Sequence, residues 1–226
     1  MYTSLRATAI AFVVATSLTA AAQIDHLSTP KISDGLKEAL VVSTTKAVAL
    51  TGRHDGFLKN EAIRILLPPK VQALGKGMRM IGMGEQVDEL EIGMNRAAEQ
   101  ATPQAKQIFL NAVRNMSFQD ARRILTGNDT AATDYFRAVC STDLTTAFTP
   151  IVHNAMKKVG VVRQYKEVIK NAPGGSVLAG EFDLDQYVVE KTLDGIFTVL
   201  GTEEANIRHD PAAQTTDLLK EVFSAK

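Results

Sequence analysis

The sequence predicts an all-α fold: a single compact domain of roughly eight to ten helices, with at most a minor strand pair. Three observations predict it. Apolar residues recur at helical spacing through most of the chain. The 7 prolines fall at boundaries between those periodic segments. Strand-like runs are confined to Ile63-Arg64-Ile65-Leu66 and Ser176-Val177-Leu178, and neither alternates long enough to anchor a sheet.

Residues 1–22 read as a secretory signal peptide. Arg6 supplies a positive n-region, Ala7 to Ala15 begins a short apolar core, and Ala20-Ala21-Ala22 offers a small-x-small cleavage site before Gln23. The apolar run is well short of the ~20 residues that span a bilayer. No cysteine follows it to carry a lipid. The expectation is an exported protein, soluble in a bacterial periplasm, not a lipoprotein, with no transmembrane segment after cleavage. Residues 23–226 then form one helical domain with its core at about 33–224.

In that domain Ser33 can cap a helix beginning at Asp34, with Leu36, Ala39, Leu40, Ala47 and Leu50 apolar and Gly52 ending it. A loop at 53–57 and an irregular stretch through Leu67 follow. Pro69 suits the first turn of a helix over 69–81. Residues 85–101 carry Val87, Leu90, Met94, Ala97, Ala98 and Ala101 on one stripe. Pro103 restarts the chain for 105–115. Ser117 and Asp120 form an N-cap and N3 pair for a short helix ending at Gly127. Helices over 130–148 and 150–159 are expected to break at Pro150, and 162–171 leads into the Pro173-Gly174-Gly175 loop. Asp183 caps a long helix to about Leu200, extensible to Arg208, and Asp210-Pro211 introduces a last helix ending near Phe223.

Composition narrows the function. The 226 residues are 45% apolar and 22% charged, with 25 basic side chains against 25 acidic. Such a balance disfavours a general nucleic-acid binder, which needs a basic excess to displace counterions. Arg6 is the one charged residue in the signal peptide, so cleavage leaves 24 basic against 25 acidic, a charge near −1. Cys140, the 1 cysteine, lies at helical spacing from Phe136 and Leu144 and reads as a buried thiol.

Catalytic signatures are scarce. Histidines 26, 54, 153 and 209 lie beyond helical reach of one another, and no Glu-x-x-His pair or Gly-x-Ser-x-Gly elbow occurs. No metal, cofactor or catalytic residue is assigned. Lys46 to Gly56 imitates a dinucleotide-binding turn, and Tyr187-x-x-x-Lys191 imitates a dehydrogenase dyad. However, Leu58 replaces the third glycine, and the preceding segment is patterned as a helix.

Two features stand out. Gly75 to Gly84 holds four glycines with Met78, Met80 and Met83. It reads as a tight connection with core methionines, or as an adaptable apolar surface for a lipid-like or peptide ligand. Glu91, Asn95 and Glu99 form an i, i+4, i+8 stripe with Arg96 beside it. That stripe reads as a solvated face; facing inward, it would demand a satisfied polar network. On the long helix Lys191 can pair with Asp194, and Gly195 permits close approach.

A resemblance adds to this reading. Asp55-Gly56-Phe57, Met94 to Glu99, Asp129 to Thr133 with Tyr135-Phe136, Asp183-Leu184-Asp185-x-Tyr187-Val188, Lys191-x-Leu193-Asp194-Gly195-x-Phe197, and Ile207-Arg208-x-Asp210-Pro211 onward to Leu219 occur in order. Together they resemble motifs of a bacterial exported family, domain of unknown function 4197, over about Ser33 to Phe223. The resemblance implies a helical exported protein and brings no activity or catalytic residues.

The first functional expectation is a non-enzymatic periplasmic or envelope protein holding a lipid-like or other amphiphilic small molecule in an interhelical cleft. Its candidate ligand-binding residues are Met78, Met80, Met83, Asn95, Arg96, Glu99, Tyr187, Lys191 and Asp194. The alternative is a structural module docking another envelope protein through an exposed apolar face. The third is a carboxylate-dependent enzyme with Glu99 or Asp194 as general base. Ligand identity and oligomeric state stay open.

Overall fold

The structure is a computed structural model that describes residues 29–158, 160, 163, 166, 183–214 and 220. The expected signal peptide, most of 162–171, the 173–175 loop, the 176–178 strand candidate and the final helix beyond 214 lie outside the described residues.

Among the described residues the fold is all-helical and contains no strand. In chain order α1 is Thr29–Gly52, α2 Pro69–Met80, α3 Gly84–Ala101, α4 Ala105–Asn115, α5 Phe118–Thr126, α6 Ala131–Lys158 and α7 Leu184–His209, with a 3-10 turn Thr102–Gln104 between α3 and α4. Seven α-helices lie among the described residues, against the eight to ten expected for the whole chain. One reason is Pro150, which sits inside α6 instead of breaking it. Proline removes the amide that Thr146 would have met, but Thr146 and Pro150 are both exposed, so the freed carbonyl is open to solvent. Buried Phe148 and Val152 on either side hold the helix to the core. The start of α1 also differs. It begins at Thr29, not after Ser33, because Pro30 falls in its first turn, where a missing amide costs nothing.

Other termini follow local chemistry. At α5, Ser117 Oγ accepts from Asp120 N (3.1 Å) while Asp120 accepts from Ser117 N (3.2 Å), a reciprocal capping box. At α7, Asp183 accepts from Gln186 N (3.0 Å).

Helix α3 packs against α6, α7, α2 and α1, while α7 packs against α6 and α1. Their common core is aromatic at its centre. Phe109 meets Phe136 and Phe197 edge-on, with centroids 5.3 and 6.2 Å away. Cys140 is buried in this layer, and desolvation, with Asp143 adding to it, pushes its thiol up to about 12.

Candidate functional site

Residues 53–67 cross the domain without regular structure, yet Ile63, Ile65 and Leu67 are buried while Arg64 and Leu66 are exposed. This is the alternation of a half-buried strand. A strand needs a neighbour for its amides and carbonyls, and here that neighbour is a row of side chains on α3. The Glu91/Asn95/Glu99 stripe faces inward, each residue no more than 6% exposed, which corrects the solvated-face reading. Asn95 bonds both backbone groups of Ile65, accepting from its N–H (2.9 Å) and donating to its carbonyl (2.8 Å), as a β-bridge would. Its second amide hydrogen goes to Glu91 O (2.7 Å). Glu91 accepts from Leu67 N (3.4 Å) and from Arg64 (3.3 Å). Glu99 Oε1 accepts from Phe57 N (3.1 Å) and Leu58 N (3.2 Å). We call residues 53–67 the strap.

The strap begins in a tight knot. Asp55 takes a left-handed backbone (φ 65°), a conformation Asp tolerates better than most residues. Gly56 then runs so close to the end of α1 that a Cβ would lie 2.5 Å from Leu50 O, which only glycine permits. Phe57 turns inward onto Gly195 of α7, where a Cβ would sit 2.4 Å from the ring. Gly195 does permit a close approach, and the group that uses it is Phe57. Electrostatics complete the knot: Arg96 joins Glu99 Oε2 and Asp55 Oδ1, both at 2.6 Å, and Lys59 reaches Asp55 Oδ2 at 2.7 Å. Lys59, followed by Arg96, holds the Asp55 carboxyl down from 3.8 to about 2.

The structure thus joins Asn95, Arg96 and Glu99 on one row, and Tyr187 meets the strap from the other side, donating to Leu66 O (3.0 Å). Lys191 and Asp194 stand apart from them, paired with each other on the exposed side of α7 (3.1 Å), with Arg137 3.6 Å from Asp194. Burial pushes the Tyr187 phenol up, against the lowering by Lys191 that a dehydrogenase dyad requires. Both oxygens of Glu99 are already engaged, so it offers no free base. The methionines also divide. Met78 is buried, Met83 is half-buried against the core, and Met80 is 84% exposed at the end of α2. Ile81 follows it at 67% exposure, and Gly82 turns the chain with φ 85°.

A second buried network escaped the sequence reading. Glu204 on α7 accepts from Ala132 N (2.9 Å), Thr133 N (2.8 Å) and Thr133 Oγ1 (2.9 Å), satisfying the first turn of α6. Arg208 bonds Glu204 (2.7 Å) and donates to Ile124 O (2.8 Å) at the end of α5. The Glu204/Arg208 spacing, i and i+4 on the extension of the long helix to Arg208, was the available signal.

Open spaces among the described residues include one small hollow and two surface grooves. The hollow between α1 and α7, beside Leu40 and Arg208, holds about 10 Å³, room for one water. A groove of about 630 Å³ runs along the strap past Arg53, His54, Lys59 and Glu61. Another of about 630 Å³ lies where His153 of α6 meets Asp185 (2.6 Å). Among the described residues there is no group of three or more potential metal ligands, and no helix is long and apolar enough to cross a membrane.

The family model described as a protein of unknown function (DUF4197) matches residues 26–224. No curated protein and no solved structure matches the chain.

Proposed function

The chain belongs to the DUF4197 family of proteins of unknown function, and we propose that it is a non-catalytic, exported envelope protein that contacts lipid-like amphiphiles through the α2–α3 tip. One observation carries this reading: Met80 and Ile81 are exposed at the turn that ends α2, while the motif carboxylate of Glu99 and amide of Asn95 are engaged inside the fold. The contact envisaged in an interhelical cleft moves to the surface, because Met78 belongs to the core and Met80 does not.

Shape favours an amphiphile over a protein partner. Two side chains offer far less than the roughly 800 Å² per partner of a stable protein interface. A fluid acyl layer needs no complementary groove and can receive a small convex tip. Fully burying two side chains of this size contributes about 3–5 kcal/mol gross, the scale of roughly 1 mM affinity. Lys76 lies one turn before Met80 on the same helix face, within reach of a headgroup. The near-neutral chain gives no strong long-range steering, so the attachment is chiefly apolar.

Flotation with phospholipid vesicles tests the reading, using the mature chain and a Met80→Ser/Ile81→Ser variant. The expected result is recovery of the mature chain with vesicles, little changed by salt, and at least tenfold less recovery of the variant. Equal recovery of both would refute the tip as the contact. Absence from vesicles together with saturable binding to an envelope protein would move the role to the docking alternative. Export itself is tested by fusing residues 1–22 to a periplasm-dependent reporter; a silent reporter refutes the leader assignment.

A further inference from the structure

We propose that Met80 is an oxidant-responsive modification site, whose conversion to the sulfoxide turns the apolar tip polar. The modification stands on the structure alone; its effect on amphiphile contact rests on the function proposed above.

The structure separates the methionines by access. Met78, Met94, Met116 and Met156 are each no more than 4% exposed, and Met83 is half-buried against the core. Met80, at 84%, presents its thioether to solvent. Its surroundings are open as well. A Cβ placed on Gly77 or on Gly82 would meet nothing within 4 Å, so no other part of the described fold packs against these two glycines beside the tip. A reagent that must approach a sulfur lone pair along the bond it breaks therefore reaches Met80 far sooner than the core methionines.

The oxidant is a two-electron oxygen donor of the hydroperoxide class. The Met80 sulfur attacks the terminal peroxide oxygen. An S–O bond forms, the O–O bond breaks, and the departing oxygen leaves as water (or an alcohol) after taking the proton. Sulfur loses the two electrons that the peroxide gains. A dithiol reductant reverses the change, giving thioether, disulfide and water. The sulfoxide is strongly polar, so it opposes transfer of the tip into an acyl layer. Ile81 has no corresponding chemistry, which concentrates the response on one side chain.

The test exposes the folded full-length mature chain to graded hydrogen peroxide and maps oxygen addition by peptide mass spectrometry. Met80 is expected to oxidise at least tenfold faster than Met78, Met94, Met116 and Met156, with an unchanged thermal midpoint. Comparable rates at Met80 and the core methionines overturn the site. In the vesicle assay, oxidised protein is expected to lose about tenfold in recovery and to regain it after treatment with a methionine sulfoxide reductase and dithiol. A Met80→Gln variant, polar without oxidation, should start at the oxidised level. Undiminished recovery of the oxidised protein overturns the switch. If the unoxidised chain fails to bind vesicles at all, the proposed function falls and takes the switch with it, while the mass map still judges the site.

Discussion

Replacing Glu99 with alanine should cost about 3–5 kcal/mol of stability and release the strap first. Glu99 is 5% exposed, and its Oε1 is the acceptor for Phe57 N and Leu58 N. Phe57 is buried, so its orphaned amide costs about 1–3 kcal/mol. Leu58 is half-buried, and water can take over its amide at little cost. Arg96 loses one carboxylate but keeps Asp55, and its side chain is 22% exposed. Its share therefore falls well below the 3–5 kcal/mol of a fully buried broken pair, at about 1 kcal/mol. Removing the side-chain methylene and carboxylate from a packed site adds about 1 kcal/mol. For a domain of this size the thermal midpoint should fall by about 6–20 °C.

The assay is thermal and urea unfolding by circular dichroism, paired with amide hydrogen exchange. Exchange should accelerate first at Phe57 and Leu58, whose amides lose their acceptor, and then along the strap they anchor, while the α6–α7 core keeps its protection. Glu99→Gln separates the two roles. Its carbonyl oxygen can keep both strap amides, while its NH2 meets the donors of Arg96, so the loss should be about 1–2 kcal/mol with the strap still protected. A loss under 1 kcal/mol for Glu99→Ala, or acceleration spread evenly over α6 and α7, would refute the clamp.

Three further outcomes follow from the same structure. Asp55 has its carboxyl held near 2 against an ordinary 3.8, so its stabilisation is complete above about pH 4 and disappears as pH falls towards 2; Asp55→Asn, which keeps the left-handed turn, should flatten acid unfolding in that window, and an unchanged acid limb would count against the pairing. Gly195→Ala drives a Cβ into Phe57 and should destabilise by about 1–3 kcal/mol, with Phe57→Leu relieving part of that cost in the double variant; strictly additive losses would show that the ring does not fill that gap. Cys140, with a thiol pushed up to about 12 by burial, should resist iodoacetamide at pH 8 in the folded chain and react in urea; rapid labelling of native protein would contradict its placement.

Much of the helical framework was legible because its signals are local. Ser117/Asp120 and Asp183 identify their own helix starts, and the apolar stripe of residues 85–101 yields α3 directly. Pro150 misled because a proline's cost depends on whether the freed carbonyl meets water, which a proline in the sequence does not reveal. The stripe of Glu91, Asn95 and Glu99 was visible, but its spacing is the same on a solvated and on a buried face. Its direction is decided by backbone partners 24 to 42 residues away. A clue did exist: residues 63–67 alternate like a strand, and no second strand lies among the described residues to pair with them. Such a segment must draw its hydrogen bonds from side chains, and Asn95 is the residue type able to serve both backbone groups at once. Lys191 and Asp194 carried an equally good motif, yet their helix face is exposed.

Glu91 links the buried clamp to the exposed tip. The strap ends at Leu67, whose amide bonds Glu91, and Pro68-Pro69 leads straight into α2. At the other end of the same helix, Arg79 bonds Asp88 and approaches Glu91 at 3.7 Å. Both ends of α2 are therefore tied to one turn of α3, which fixes the helix despite the glycines at 75 and 77 that would otherwise loosen it. Met80 and Ile81 follow Arg79 directly, so the ties at both ends of α2 hold the helix that presents them. The residues carrying the family resemblance at Asp55–Phe57, Asn95–Glu99, Gly195 and Arg208 are occupied in holding the scaffold together. The tip they support lies outside those motifs, and can change its chemistry, by substitution or by oxidation of one sulfur, without disturbing the fold that presents it.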